Sequence, residues 1–182
     1  LDQLAQPPLQ SNQVDTYGTH TPNYSRCGAS LLSRLGKPTE LLDVYKKYAA
    51  RKDDDFLLTL LSVIYVESKF EKGARSHMDA VGLMQMTRIA VDEATERCDL
   101  RRVLHMDHLL DSAMNIRYGS CYLAEMLEEN GQDITRALIM YNGGYKQLTK
   151  YEKGESITNE TSNYVLQVLK TKKEMCTNAN AN

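Results

Sequence analysis

The chain has 182 residues, a net charge of −2 and a hydrophobic fraction of 42%. That length suits one domain burying roughly 70% of its unfolded surface, and the composition excludes wholesale disorder. The near-neutral charge argues against nucleic acid as a partner, since such binding favours a strongly basic face, and no apolar run approaches the ~20 residues that span a bilayer.

Residues 1–36 are polar and hold three of the four prolines, Pro7, Pro8 and Pro22. They read as an extended N-terminal arm with a short helix at Ser30–Leu35 before Gly36. Pro38 and Thr39 then open a helix whose apolar face is Leu41, Val44, Tyr45, Tyr48 and Ala49. From there no proline interrupts a spacing near 3.6. The acidic run Asp53-Asp54-Asp55 suits a helix N-terminus and precedes Phe56–Val66, an apolar stretch that reads as a buried core helix. A shorter helix follows near Ile89–Arg97. Ser112–Glu129 is predicted next, with Met114, Tyr118, Cys121, Tyr122, Met126 and Leu127 on one side. Ile134–Tyr141 is predicted to stop at Asn142-Gly143-Gly144, leaving Tyr145–Thr158 as loop. Glu160–Lys173 forms the last helix, and 177–182 reads as a disordered tail. The expected architecture is an all-α domain over 37–176 with a flexible arm before it.

Cys27, Cys98, Cys121 and Cys176 contain no Cys-x-x-Cys pair and do not look like a zinc or redox motif. The favoured pairing is Cys98–Cys121, between neighbouring helices, with Cys27–Cys176 tying the ends together; the alternative is four buried free thiols. The chain starts at Leu1 without Met or an apolar leader, which fits a trimmed, exported form.

Glu67 ends the apolar helix on the side of Leu60, Val63 and Ile64. Aliphatic surroundings and the negative end of the helix dipole both disfavour its carboxylate, which is what a general acid near neutrality requires. On position alone, a boundary glutamate facing water fits equally well. The residues C-terminal to it shift that balance. Glu67-Ser68-Lys69-Phe70 leads through Ala74-Arg75-Ser76 into Ala80-Val81-Gly82-Leu83-Met84-Gln85-Met86. Ala90, Asn115-Ile116, Gly119 and Tyr122-Leu123 come next. Ala137-Leu138, Tyr141-Asn142-x-Gly144 and Glu160-Thr161-x-x-Tyr164-Val165 complete the series. In this order the blocks resemble the catalytic domain of the soluble lytic transglycosylases, related in fold to goose-type lysozyme, over about Phe56 to Leu169.

The resemblance implies a lysozyme-like helical domain that cleaves the β-1,4 bond between N-acetylmuramic acid and N-acetylglucosamine in peptidoglycan. Glu67 matches the residue that acts first as acid, then as base, leaving a 1,6-anhydro product. Ser76, Gln85, Tyr141 and Glu160 match substrate-facing positions, Tyr141 being the tyrosine whose hydroxyl approaches the acid. From the residues themselves, Ser76 fits a turn-stabilising role almost as well, and Glu160 suits a helix N-terminus in any case. Met84 and Tyr164 read as core, Asn115-Ile116 as structural and Asn142 as a helix stop. The chain departs from the family pattern at Asp79, where glycine is usual, at Arg88 for proline and at Gly143 for alanine. Asp79 adds a second carboxylate to the loop after Glu67, although a solvated loop aspartate is the simpler reading.

His105 and His108 come without a metal-binding signature and read as exposed histidines, so neither a metal nor a cofactor is expected. Three function classes stand: a lytic transglycosylase, a hydrolytic muramidase using Glu67 with Asp79, and a non-catalytic wall-binding assembly module. The small monomeric domain and its arm suggest local wall opening for a secretion, pilus or flagellar apparatus, or for one by which a phage enters its host. The expected location is the periplasm or the bacterial cell wall. With no Trp in the chain, stacking on a sugar falls to the 11 tyrosines.

Overall fold

A computed structural model describes residues 23–179. Seven α-helices and one 3-10 turn order the described chain: α1 Tyr24–Arg34, α2 Leu41–Tyr48, α3 Asp54–Ser68, α4 Arg88–Arg97, the turn Met106–Leu110, α5 Ser112–Glu129, α6 Ile134–Glu152 and α7 Asn159–Ala179. Aspartates set several of the starts. The side chains of Asp53, Asp111 and Asp133 accept the backbone N–H of Phe56, Met114 and Arg136, the orphan donors of α3, α5 and α6.

Helix α3 is the axis of the core. Every residue from Phe56 to Ile64 is buried, so this helix has no polar stripe and must be enclosed. It packs against α1 and α7, while α5 bridges α4 and α6. Two hydroxyls inside α3 are satisfied along the helix itself. Thr59 donates to the Asp55 carbonyl at 2.9 Å and Ser62 to the Leu58 carbonyl at 2.8 Å. Disulfides join Cys27 to Cys176 and Cys98 to Cys121.

Three boundaries differ from the sequence reading. Residues 23–36, assigned to the arm, belong to the packed domain. Tyr24, Cys27, Leu31 and Leu32 share one helical face and are buried. The Tyr24 hydroxyl donates to the Leu42 carbonyl at 2.8 Å, and Cys27 is bonded to α7. The polar residues between these four mask the periodicity. The rest of the arm, residues 1–22, lies outside the described residues. Helix α6 does not stop at Asn142-Gly143-Gly144 but bends there. Gly144, at φ 69° and ψ −178°, breaks the helical backbone, and helix resumes through residues 145–152 that were expected to be loop. Helix α7 continues to Ala179, so 177–179 are helical and 180–182 lie outside the described residues. No described helix is long and apolar enough to cross a membrane.

Candidate active site

The site is built where α3 ends. Glu67 lies in the last turn, and the chain then leaves the helix through two consecutive left-handed residues, Lys69 at φ 53° and Phe70 at φ 64°. A bulky residue in that region is strained and persists only when its surroundings hold it. Phe70 is buried, with its ring 6.1 Å from that of Tyr45 and 6.3 Å from that of Tyr65. Ser68, also buried, donates its hydroxyl to the Leu83 carbonyl at 2.8 Å, with the Ile64 carbonyl at 3.1 Å. The helix end is thereby fastened to the loop that follows it.

That loop is folded back on itself. Val81 bridges both Arg75 and Met86 in antiparallel pairs. Asn115 of α5, fully buried, closes it from beneath. Its oxygen accepts the Met84 N–H at 2.8 Å, and its nitrogen donates to the carbonyls of Val81 and Leu109, each at 2.9 Å. Gly82, at φ 80°, lies against this amide, and a Cβ there would fall 2.2 Å from the Asn115 nitrogen. The expected structural role of Asn115 thus has a definite form: it holds the backbone on which Met84 and Gln85 are presented.

Gln85 is itself left-handed, at φ 44°. Its side-chain nitrogen donates to the carbonyls of Gly82 at 2.8 Å and Ala74 at 3.2 Å. Since both partners are carbonyls, the amide orientation is settled, and the oxygen is left as an acceptor. The Ser76 hydroxyl accepts N–H groups from Met78 and Ala80, both at 3.1 Å. It therefore performs the turn-stabilising role, with its own proton left to donate elsewhere. Asp79 is exposed in the same turn at φ 59°, a backbone that glycine adopts freely and aspartate tolerates better than most residues.

Beside the Glu67 carboxyl stand tyrosines of α6 and α7, with one of α5 behind them. The rings of Tyr141 and Tyr164 are stacked at 6.4 Å, and Tyr122 is tilted against Tyr141 at 5.4 Å. Tyr141 donates its hydroxyl to the Met84 carbonyl at 3.0 Å and feels the Glu67 charge, which helps push its pKa well up. Burial is the main cause of that rise. The Tyr164 hydroxyl is buried without a hydrogen bond of full geometry, yet it faces Glu67 closely enough to steady the carboxylate.

Burial among these groups raises the Glu67 pKa to about 7, and the Tyr164 hydroxyl opposes a smaller part of the shift. Asp79 is not among the groups that shift it. A carboxyl poised there gives up or takes back a proton at neutral pH with little bias either way. Glu160 is exposed in the first turn of α7, one helical turn before Tyr164 and on the same face.

The structure thus brings Glu67, Tyr141 and Tyr164 together and puts Ser76 and Gln85 on the adjoining loop. Tyr164 is the neighbour that sequence reasoning assigned only to the core. It is indeed 7% exposed, and its place in the block Glu160-Thr161-x-x-Tyr164 was the signal of a second role. Asn142, read as a helix stop, lies inside α6 two residues before the break at Gly144.

A profile of the family described as Transglycosylase SLT domain matches residues 44–164. The chain is 33% identical over 108 residues to membrane-bound lytic murein transglycosylase F of Desulfosudis oleivorans, a match covering 55% of this chain and 21% of that protein. Its fold superposes on the 70 kDa soluble lytic transglycosylase SLT70 from Escherichia coli with a TM-score of 0.69 at 21% identity, covering 80% of this chain and 25% of that one. An inactive Glu-to-Gln mutant of the lytic transglycosylase Slt from Pseudomonas aeruginosa gives 0.61 at 20% identity, over 83% and 23% of the two chains. The chain spans between about a fifth and a quarter of the length of these relatives. With its Glu67 motif series inside the matched segment, the chain belongs to the transglycosylase SLT domain family.

Proposed function

We propose that the domain is a peptidoglycan lytic transglycosylase with Glu67 as its only catalytic carboxyl group. The observation that carries this reading is the Glu67 carboxyl, half-buried at the end of a core helix with its pKa raised to about 7. Protonated, it donates to the glycosidic oxygen as the bond to C1 of N-acetylmuramic acid breaks. The resulting carboxylate takes the proton of the C6 hydroxyl on the same sugar, and the C6 oxygen bonds to C1. The product is a 1,6-anhydro sugar, no water is consumed, and Glu67 ends protonated as it began. A hydrolase of the usual kind needs a second carboxyl group as nucleophile or base. Asp79 is the loop carboxyl group that could be considered for that role, and it stands exposed on its turn.

Substrate contacts follow from the groups that the loop leaves free. The Gln85 oxygen accepts from a sugar N–H or O–H, and the Ser76 hydroxyl donates. Tyr141 packs beside the acid, and Glu160 reaches the glycan from the start of α7. The mutant of the Pseudomonas aeruginosa relative, inactive after a single Glu-to-Gln change, supports one indispensable carboxyl group. The two disulfides support the periplasm or cell wall as the site of action. We place the protein there as a monomer, opening the wall for a larger secretion, pilus, flagellar or phage apparatus.

Digestion of purified peptidoglycan, with mass spectrometry of the soluble muropeptides, tests the reading. Anhydromuropeptides from the wild type and none from Glu67→Gln are expected. Reducing-end products would instead establish a hydrolytic muramidase, and no release by either protein would leave a non-catalytic wall-binding module.

A further inference from the structure

Away from Glu67 the described residues enclose a cavity of about 400 Å³ between the end of α2, the end of α4 and the middle of α5. Lys47 and Tyr48 line it from α2, Cys98 and Leu100 from the end of α4 and the turn after it, and Arg117 and Cys121 from α5. None of these belongs to the motif series around Glu67. Ala49 and Ala50, which also line the cavity, lead into the start of α3, whereas Glu67 lies in the last turn of that helix. The 15 residues of α3, about 22 Å of helix, therefore lie between this wall and the acid.

The walls of this cavity are fixed by bonds of their own. The Cys98–Cys121 disulfide fastens the end of α4 to α5. The Ala50 N–H donates to the Ser120 hydroxyl at 2.8 Å, which ties the link between α2 and α3 to α5. Lys52 donates to the carbonyls of Lys46, Lys47 and Ala49 at 2.6, 3.0 and 2.5 Å, satisfying the end of α2. What is left unmatched is positive charge. The Lys47 ammonium lies 5.3 Å and the Arg117 guanidinium 5.8 Å from the centre of the Tyr48 ring. Two cations drawn to one ring repel each other, and neither has a carboxylate within ion-pair distance among the described residues. No Asp or Glu lines the cavity. Asp99, between two lining residues, is exposed at φ 49° and is not part of the lining.

We propose that this cavity binds the free carboxylate end of a peptide, the carboxylate between Lys47 and Arg117 and the terminal side chain against Leu100 and the disulfide. This does not rest on the reading of Glu67. A guanidinium fork meets a carboxylate in two parallel N–H···O bonds, a fit that an amide end lacks. Leu100, the Tyr48 ring and the Cys98–Cys121 sulfurs offer an apolar surface to an aliphatic side chain. A phosphate dianion suits the cavity less well. The Ala50 N–H is already committed to Ser120, and α2 turns its negative C-terminal end toward this place. The volume falls near the low end of the ~300–1,000 Å³ typical of ligand pockets, which fits a chain end rather than a run of sugars. Such an end belongs to a polypeptide or to the peptides that peptidoglycan carries. Bound here, it tethers the domain without occupying the site at Glu67.

Titration of the full chain with acetyl-alanyl-leucine bearing a free carboxylate, followed by nitrogen–proton correlation NMR, tests the site without requiring cleavage. Saturable shifts at the amides of Ala50, Leu100 and Arg117 are expected, with affinity falling as salt is added. The C-terminal amide of the same peptide is expected to bind about tenfold more weakly. Lys47→Ala and Arg117→Ala, both at exposed positions, are each expected to lower affinity for the acid about tenfold. Arg117→Lys, which keeps the charge and loses the fork, is expected to fall between Arg117→Ala and the parent, and thermal melting verifies that every variant is folded. Equal binding of acid and amide, unchanged affinity in both alanine variants, shifts confined to the residues around Glu67, or no saturable shift each overturns the proposal. Displacement of the peptide by inorganic phosphate at equal concentration overturns it as well, because it marks a general anion site. Acetyl-alanyl-alanine ending in the L or the D form distinguishes the sources: tighter binding of the L end upholds the site for a polypeptide tail, and of the D end for a wall peptide.

Discussion

The half-buried acid makes the stability of this protein depend on pH in a predictable direction. In the unfolded chain Glu67 titrates at its ordinary 4.5, and in the folded protein at about 7. Between those values the folded state holds a proton that the unfolded state has lost, so stability falls as pH rises through the window and is lowest above it. The full difference corresponds to about 3 kcal/mol, drawn toward about 2 kcal/mol by the contact with water that Glu67 retains. Glu67→Gln removes the titration while keeping the size and most of the polarity of the side chain. At pH 5 the wild-type carboxyl is neutral and the two proteins should melt close together. At pH 8.5 the wild type carries a charge in that site and the variant does not. The variant should then be more stable by about 2–3 kcal/mol, or roughly 4–10 °C in melting temperature for a domain of this size. Thermal unfolding of both proteins across pH 5–8.5, followed by circular dichroism with the disulfides intact, measures this directly. Parallel curves for wild type and variant would refute the argument, because they would mean that Glu67 titrates alike in both states.

Other outcomes follow from single contacts. Tyr164→Phe removes the hydroxyl that steadies the Glu67 carboxylate, so the alkaline limb of the pH–rate profile should move to higher pH, with little loss of stability because that hydroxyl makes no full hydrogen bond; an unmoved limb would place the hydroxyl outside the proton's reach. Asn115→Ala strips partners from the Met84 N–H and from the Val81 and Leu109 carbonyls. It should cost about 3–5 kcal/mol in urea unfolding, whereas a loss under about 1 kcal/mol would show that water replaces the amide. Replacing Cys27 and Cys176 by serine opens a loop with a sequence separation of 149, and chain-entropy reasoning puts the loss at about 5 kcal/mol. The same change at Cys98 and Cys121, separated by 23 residues, should cost about 3 kcal/mol. The two double variants, compared by thermal melting, should rank in that order.

Sequence alone carried the architecture furthest where periodicity was strong and the ends were punctuated. Helix α5 runs over the expected Ser112–Glu129, with Asp111 capping its start. Helix α1 escaped because its buried apolar residues are set among serines and arginines in a segment whose composition suggests an arm. The stop expected at Gly143-Gly144 is only a bend, since a single glycine at positive φ redirects a chain that resumes helix as soon as tertiary contacts favour it. At the site, the position of Glu67 at the end of an apolar helix was legible, and so was the physical reason for its raised pKa. Tyr164 was not, because a tyrosine packed in the core and one packed against an acid follow the same helical spacing.

The Cys27–Cys176 bond has a mechanical consequence. The two α-carbons it joins are 4.6 Å apart, so the first and last described helices, α1 and α7, are fastened to each other at one corner of the domain. Tension pulling α1 away from α7 runs across the disulfide, a covalent path that does not pass through the elements between them, where Glu67, Gln85 and Tyr141 are held. Load that would part α1 from α7 is carried at that corner by a covalent bond, and the geometry around the acid is spared it.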